Sequence, residues 1–255
     1  MDESAPAARA ERGAAVRTGR TFRILPAPGA GRAVLAATPW LRLAAGWALA
    51  YSVGAASAWA VMALGWWDAG GQWERDMLAA AQATVSPALD VVMLTLPFAG
   101  TNYSLAPLIA IAAIVLWRRG YASVALHLAI VQAGSWMLNP SLKFSFPRER
   151  PTLFEARGQH AFPAFPSGHA IAVVGVLLTV AYLIDRCGLG KWGYWVVGAF
   201  FILNSYSRIY LSVHWPTDVI AGGLVGAVWL AWTIRALEPL HARAAEEGAG
   251  GGNVR

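Results

Sequence analysis

Charged residues are scarce in this chain, and cysteine is nearly absent. Only 13% of the 255 residues are charged and 57% are hydrophobic, whereas soluble domains carry about 25% charged residues. The apolar residues also collect in runs of about 20, the length that crosses a bilayer. These features exclude an ordinary soluble domain. The single cysteine, Cys187, excludes an intrachain disulfide.

The hydrophobic runs predict the fold class and the domain organisation. Six runs indicate an all-α, polytopic membrane protein with six transmembrane helices, and they lie near residues 44–67, 88–117, 121–139, 169–185, 193–211 and 216–235. Pro97, Gly100 and Pro107 are expected to break the long second run. The chain then divides into a basic, mostly disordered cytoplasmic tail, a six-span domain and a flexible cytoplasmic tail, at residues 1–42, 43–237 and 238–255.

The positive charges predict the orientation. The net charge of +6 could indicate nucleic-acid binding, but the arginines stand in the N-terminal tail and in short loops beside apolar runs. Because Lys and Arg prefer the cytoplasmic side of short loops, we expect both termini in the cytoplasm, no nucleic-acid partner and a multi-pass plasma-membrane protein. The loop at 140–168 then lies outside, although it contains Lys143, Arg148, Arg150 and Arg157. These four cations need an explanation other than topology.

Three polar segments lie at helix–loop junctions on this outer face, at residues 143–151, 165–169 and 207–218. In the first, Lys143 and Arg150 offer a point charge and a fork of donors that suit phosphate oxygens. A basic loop that binds anionic lipid headgroups explains this segment equally well.

The second segment has the sequence Phe-Pro-Ser-Gly-His. Ser167 is predicted as the N-cap of the fourth span, with Gly168 and His169 in its first turn. Free backbone N–H groups at such a position bind anions. A serine cap beside an interfacial histidine is the simpler explanation of this segment alone.

The third segment holds an arginine, a histidine and an aspartate. Pro216 favours a helix start, which places Asp218 in the first turn, close enough to accept a hydrogen bond from His214. That bond would fix the tautomer and leave the other ring nitrogen free to attack phosphorus. Asp218 could instead only complement the helix dipole. However, Arg208 and His214 at membrane level are costly unless they are paired or functional.

Together the three segments resemble the signature of the type 2 phosphatidic acid phosphatase (PAP2) superfamily. Its Lys-x6-Arg-Pro, Pro-Ser-Gly-His and Ser-Arg-x5-His-x3-Asp motifs appear in order, matched by Lys143, Arg150 and Pro151, by Pro166, Ser167, Gly168 and His169, and by Ser207, Arg208, His214 and Asp218. One departure is Ser212, where many members have glycine. The resemblance implies a PAP2-type helical bundle.

The resemblance also implies a chemistry. His214 would attack phosphorus, oriented by Asp218, and His169 would protonate the leaving group and then activate water. The substrate phosphate would be held by Lys143, Arg150, Ser167, Gly168 and Arg208. No metal or cofactor is expected. The implied partners are membrane lipids and a lipid phosphate or polyprenyl diphosphate substrate, with undecaprenyl diphosphate, phosphatidylglycerophosphate and phosphatidic acid as candidates.

Two other functions remain open on the sequence. A lipid phosphotransferase that uses a lipid or sugar hydroxyl as acceptor would carry the same motifs, and so would a non-catalytic protein that binds or transports lipid phosphates. The oligomeric state is unknown. Among the other titratable residues, His127 is expected to be a hydrogen-bond partner between helices, His241 is assigned to the C-terminal tail, and Arg157 is expected either at the substrate entrance or on the solvated surface.

Overall fold

The structure is a computed structural model that describes residues 27, 29–158 and 162–251, with side chains up to residue 244. Every regular element of these residues is a helix, which confirms the predicted all-α class. The helices are α1 Gly31–Ala36, α2 Trp40–Ala63, α3 Gln72–Gln82, α4 Pro87–Thr95, α5 Asn102–Arg118, α6 Ala122–Ser145, α7 Gly168–Arg186, α8 Trp192–Tyr210 and α9 Pro216–Gly251. A π-helical turn at Val173–Leu177 lies inside α7.

Each predicted hydrophobic run overlaps a long helix, but fewer than six helices qualify as spans on their own. Within the described residues, α7 and α9 are long and apolar enough to cross a membrane, and α4 with α5 forms a third span if this pair, bent by 43°, is counted as one. The remaining long helices contain tryptophan, glycine and polar residues, which lower their mean hydropathy. The count of six spans therefore stays a prediction.

The second run breaks where two of the three predicted residues lie. After Thr95 the chain forms a short 3-10 helix, Leu96–Gly100, and α5 begins at Asn102. Pro97 and Gly100 lie in this break, as predicted. Pro107 lies inside α5, so its predicted break is wrong. The helix continues through it with the loss of the backbone hydrogen bond that an N–H at position 107 would donate.

The helix α3 lies where the sequence predicted only an outer loop. Glu74 stabilises its start, because the Gly71 N–H donates to Glu74 Oε2 at 2.8 Å. Leu78 and Ala81 on this helix are buried in one cluster with Tyr210 and other residues of the third polar segment. The helix therefore covers the segment that contains the predicted nucleophile.

The predicted tail boundaries differ from the structure. The helix α9 continues past residue 237 to Gly251, and Leu240 and His241 are buried, so a flexible tail from residue 238 is wrong for this part. The helix α1 lies inside the predicted N-terminal tail, and its Val34 packs in the same cluster as Leu240. Packing between helices orders both segments. Residues 1–26, which were predicted to be disordered, lie outside the described residues.

Small residues on α9 bring it close to the backbone of α7. A Cβ atom on Gly222 would lie 2.4 Å from the carbonyl oxygen of Ser167, and one on Gly226 would lie 2.9 Å from that of Ile171. Glycines spaced four apart on one helix face allow such an approach. In addition, the Ser167 N–H donates to the Asp218 carbonyl at 2.9 Å. The second and third polar segments are therefore in direct main-chain contact.

Candidate active site

A cavity of about 470 Å³ lies where α6 and α8 end and α7 begins. Most of the site residues predicted from the three motifs line it: Lys143, Arg150, Gly168, His169, Arg208 and His214. The opposite wall is largely apolar and comes from α4, the 3-10 helix and the start of α5, with Leu94, Pro97, Phe98 and Tyr103. The cavity thus combines a polar, cationic wall with an apolar one.

The two remaining predicted residues, Asp218 and Ser167, lie behind this wall rather than on it. Both are fully buried. Ser167 occupies the predicted N-cap position, but its hydroxyl makes no capping hydrogen bond. That hydroxyl has no hydrogen-bond partner among the described residues.

The predicted contact between His214 and Asp218 is confirmed. His214 Nδ1 lies 3.3 Å from Asp218 Oδ2, and the same oxygen accepts the Trp215 N–H at 2.9 Å. Pro216 begins α9 and puts Asp218 in its first turn. With the proton on Nδ1 and donated to the carboxylate, Nε2 carries the lone pair that can attack an electrophile.

Three of the cations that line the cavity donate to neutral oxygens. Lys143 Nζ donates to the carbonyls of Pro163 and Ala164 at 2.5 and 3.2 Å. Arg150 donates to the carbonyls of Phe162, at 2.9 Å, and Val213. Arg208 Nε donates to the Ser207 hydroxyl at 3.2 Å. Their positive charges therefore remain available to an anion in the cavity.

Ion pairs in the described part of the chain involve none of these three cations. A fourth cation that lines the cavity, Arg157, differs in this respect. It pairs with Asp90 at 2.5 Å and lies over the ring of Tyr210. The cavity end occupied by Lys143, Arg150 and Arg208 is therefore the one with uncompensated positive charge.

The surroundings of His214 change its protonation. Burial lowers the pKa of His214 well below its usual 6.5, and the charges of Arg150 and Lys143 lower this pKa further. Desolvation and nearby cations both disfavour the imidazolium. The ring is consequently neutral at pH 7, which is the form a nucleophile requires.

Gly168, at the start of α7, leaves room for the side chain of Asn139, which sequence analysis did not consider. A Cβ atom on Gly168 would lie 2.7 Å from Asn139 Nδ2, and Asn139 itself lines the cavity. The amide of Asn139 therefore packs directly against the turn of the Pro-Ser-Gly-His motif.

The loop before His214 keeps a glycine-like conformation despite its serine. Ser212 has a φ of 54°, in the left-handed region that favours glycine, which costs about 1 kcal/mol or more for another residue. Gln82 on α3 donates to the Ser212 hydroxyl at 2.9 Å and to the Tyr210 carbonyl at 3.0 Å. These hydrogen bonds hold the loop in this conformation, although Ser212 departs from the family motif.

Sequence analysis also missed the residues that surround Asp218. Arg148 Nη1 donates to Asp218 Oδ1 at 2.8 Å, and Glu74 accepts hydrogen bonds from Thr217, the residue before Asp218. Arg148 was noted only as an unexplained cation, and Glu74 lay in a predicted loop. The available signal was that Arg148 lies in the first polar segment, between Lys143 and Arg150.

A search of the described residues finds no cluster of three or more His, Cys, Asp or Glu side chains that could hold a metal ion. Metal independence remains a prediction.

Comparison with known proteins agrees with the motifs. The profile of the PAP2 superfamily matches residues 120–241. Phosphatidylglycerophosphatase B of Bacillus subtilis is 31% identical over 147 residues, which cover 55% of this chain and 71% of the relative. An undecaprenyl-diphosphatase of Sulfolobus acidocaldarius is 41% identical over 70 residues, 27% of this chain and 31% of that protein.

A solved structure is also similar. The crystal structure of a transmembrane PAP2 type phosphatidylglycerolphosphate phosphatase from Bacillus subtilis has a TM-score of 0.66 at 25% identity, and the match covers 76% of this chain and 96% of that chain. The chain belongs to the PAP2 superfamily. It is a membrane phosphatase of lipid phosphates or diphosphates.

Proposed function

We propose that this chain is a six-span enzyme of the plasma membrane that hydrolyses a lipid phosphate or polyprenyl diphosphate at the outer surface. One observation carries the proposal: the hydrogen-bonded pair of His214 and Asp218 lies at a cavity that also contains His169. The same cavity holds three cations that have no ion-pair partner among the described residues. Such a set supplies a nucleophile, a general acid and a phosphate site.

In the first step, Nε2 of His214 attacks phosphorus while Nδ1 donates to Asp218. The bond between phosphorus and the lipid-side oxygen breaks. The negative charge of the bound phosphate favours the protonated form of His169, which gives its proton to that oxygen, and the lipid alcohol or lipid phosphate leaves. The positive charge that develops on His214 is stabilised by the adjacent carboxylate, and a phosphohistidine remains.

In the second step, water hydrolyses the phosphohistidine. His169, now neutral, accepts a proton from the water as its oxygen attacks phosphorus. The bond between phosphorus and Nε2 breaks, and inorganic phosphate leaves. His214 is again neutral and His169 again protonated, so the cycle is closed without any other reactant.

The phosphate site of the proposal consists of Lys143, Arg150, Ser167, Gly168 and Arg208. Its three positive charges would stabilise the non-bridging oxygens through the transition state. Ser167 lies behind the cavity wall, directly before Gly168 on that wall, and its unpartnered hydroxyl supports its role as a donor to phosphate. Because the cations do what Mg²⁺ does in other phosphoryl transfers, phosphate release should persist in EDTA. A strict Mg²⁺ requirement would contradict this part of the proposal.

The apolar wall supports a lipid substrate. Phe98 and Tyr103 line the cavity and are also exposed, by 67% and 75%. They lie on the 3-10 helix and the first turn of α5, so the cavity wall continues into an apolar outer surface. An acyl or polyprenyl chain can lie along this wall while its phosphate reaches the cations.

The proposed orientation in the membrane rests on charge and on exposed apolar side chains. Large apolar residues are exposed on α5 and α8, among them Ile111, Trp195 and Ile202. Arg118 and Arg119 at the end of α5, with the arginines of the N-terminal tail, favour a cytoplasmic side that is remote from Lys143 and His214. Both termini would then be cytoplasmic and the cavity would open outside.

The test is phosphate release by the purified protein in detergent. We expect inorganic phosphate from at least one of undecaprenyl diphosphate, phosphatidylglycerophosphate and phosphatidic acid, and no release above background by His214→Ala. The names of the two relatives support the first two of these lipids. Full activity of His214→Ala would refute the nucleophile.

The same assay separates the alternatives. With a phosphate-labelled lipid, label that appears only on an added lipid or sugar alcohol would make the protein a phosphotransferase. Binding of the lipid without any release or transfer would make it a binding or transport protein.

A further inference from the structure

Arg148 is an arginine whose donors are all used inside the protein. It is 1% exposed and makes five hydrogen bonds, as many as its N–H groups. Nε donates to the Trp67 carbonyl at 2.9 Å and Nη2 to the Trp66 carbonyl at 2.6 Å. The guanidinium also lies between the rings of Trp67 and Trp215, at 5.5 and 5.3 Å from their centroids. Its position is fixed on every side.

The remaining donors of Arg148 reach the start of α9 and Glu74 on α3. Nη1 donates to Asp218 Oδ1 at 2.8 Å and to the Thr217 hydroxyl at 2.7 Å. Nη2 lies 3.5 Å from Glu74 Oε2. Since His214 uses the other oxygen of Asp218, the carboxylate is held between a fixed guanidinium and the nucleophilic ring.

Glu74 connects this cluster to α3. It is fully buried, and its Oε1 accepts the Thr217 N–H at 3.0 Å and the Thr217 hydroxyl at 2.7 Å. Its Oε2 accepts the Gly71 N–H. Glu74 therefore binds both Arg148 and the residue next to Asp218, and it does so from a helix that contains none of the family motifs.

Burial makes these contacts costly to lose. A buried ion pair that loses one partner leaves an unpaired charge in a surrounding of low dielectric, which is strongly unfavourable. Without Arg148, the hydrogen bonds that the structure shows to the Asp218 carboxylate would be those from the Trp215 N–H and His214. The carboxylate would then be free to rotate and to turn its other oxygen toward His214.

We propose that Arg148 is a positioning residue of the phosphoryl transfer: it fixes the orientation of Asp218, and Glu74 fixes Arg148. Arg148 does not line the cavity that holds His214, so it acts through Asp218 and not on the phosphate. This inference rests on the proposed function, because it assigns a role in that same reaction.

The test is a double-mutant cycle in the intact membrane protein. Arg148→Gln should lower kcat about 10- to 100-fold, the range found when outer residues that orient a reactive ligand are removed, with KM changed by less than about threefold. If Arg148 acts through Asp218, Arg148→Gln should have little further effect in an Asp218→Asn background. If the fall in kcat of the double variant equals the product of the falls in the two single variants, the proposal is overturned.

A second variant covers the case in which Arg148→Gln does not fold. Arg148→Lys keeps the charge but has three donors in place of five, so it cannot serve Asp218, Thr217, Glu74 and both tryptophan carbonyls at once. We expect a folded protein, judged by size-exclusion profile and thermal unfolding, with reduced kcat and the same lack of additivity with Asp218→Asn. Wild-type kcat in this variant would count against a positioning role.

The pH profile distinguishes positioning from simple support of the fold. Removing a buried cation favours the protonated form of the neighbouring ring, so the acidic limb of kcat/KM should move to higher pH in Arg148→Gln, although Lys143, Arg150 and Arg208 still surround His214. Loss of activity without any shift would indicate a structural role only.

A matched control is Arg75→Gln. Arg75 belongs to the same helix as Glu74 but donates to the carbonyls of Ala69 and Gly70 and to Gln72, and we expect wild-type kinetics. Failure of the inference also differs from failure of the proposed function. An inactive wild type would refute the function, and a fully active Asp218→Asn would refute the role of Asp218, whereas an active Arg148→Gln beside an inactive Asp218→Asn would refute only the inference.

Discussion

Two buried side-chain pairs that contain histidine lie in the described part of the chain, and one of these two has the surroundings of an active site. His214 bonds to Asp218 beside the cavity. His127 Nδ1 lies 3.0 Å from His241 Nε2, and neither of these two rings lines the cavity. Along α6, His127 is sixteen residues from Lys143, about 24 Å of helix. The two pairs therefore lie far apart.

The partner of each ring explains the difference. In the proposed reaction, a carboxylate accepts the hydrogen bond from Nδ1 of His214 and would stabilise the charge that forms when the ring attacks. An imidazole partner can share one proton but offers no such stabilisation. The outer nitrogens, Nε2 of His127 and Nδ1 of His241, have no hydrogen-bond partner among the described residues. The second pair joins α6 to α9, the role between helices that was predicted for His127.

The largest effect on kcat is expected from His214→Ala. We expect a loss of kcat of about 10⁴-fold or more, since an essential nucleophile is removed. In a rapid-quench experiment with phosphate-labelled lipid, the variant should form no labelled protein. Label on the His214→Ala protein equal to that on wild type would place the phosphohistidine elsewhere.

The second variant, His169→Ala, should separate the two chemical steps. We expect kcat to fall about 10²- to 10⁴-fold because the general acid and base is lost. With a substrate whose leaving group needs little protonation, such as a nitrophenyl phosphate, labelled protein should accumulate. A variant that turns over this substrate at the wild-type rate would exclude His169 from the hydrolysis of the intermediate.

The third variant, Arg150→Gln, tests the charge around His214. The folded protein holds the pKa of His214 below 6.5, and Arg150 is one cause, so its loss should raise this pKa. At a given acidic pH a smaller fraction of the ring would then be neutral, and the acidic limb of kcat/KM should move to higher pH. We expect kcat/KM at pH 7 to fall about 10²- to 10³-fold. An unshifted limb would contradict the electrostatic role.

The smallest effect on activity is expected from His127→Ala. The variant should keep wild-type kcat and KM, and its free energy of unfolding should fall by about 1–3 kcal/mol, because a buried hydrogen bond is lost. Thermal unfolding of His127→Ala, His241→Ala and the double variant would measure the coupling between the rings. A fall in kcat of tenfold or more in a folded variant would contradict the view that the pair of His127 and His241 has no role in activity.

The contrast between the pairs also explains what the sequence could predict. His214 and Asp218 are four residues apart, and Pro216 sets the helix start between them, so their contact follows from local structure. His127 and His241 are separated by more than a hundred residues, and His241 was assigned to a tail because the fold of α9 against α6 leaves no periodic signal. Contacts across such distances need the packed structure.

The same reason explains why Glu74 was missed. Its partners lie in α9 and in the loop that holds Arg148, and its own helix is too short and polar to be predicted from hydropathy. The motif residues could be identified from their spacing alone, whereas Arg148 and Glu74, which hold Asp218, could not. Pro107 was misjudged for a related reason, because whether a helix continues through a proline depends on its packing in the fold and not on the proline alone.

The glycines of α9 have a consequence for the precision of the site. Gly222 and Gly226 place the main chain of α9 directly against that of α7, and the main chains of Ser167 and Asp218 are hydrogen-bonded. The spacing between the segment of His169 and the segment of His214 is therefore set by backbone against backbone. Rotamer changes in neighbouring side chains leave this distance unaltered, so the two histidines keep their separation while lipid chains of different shape occupy the opposite wall.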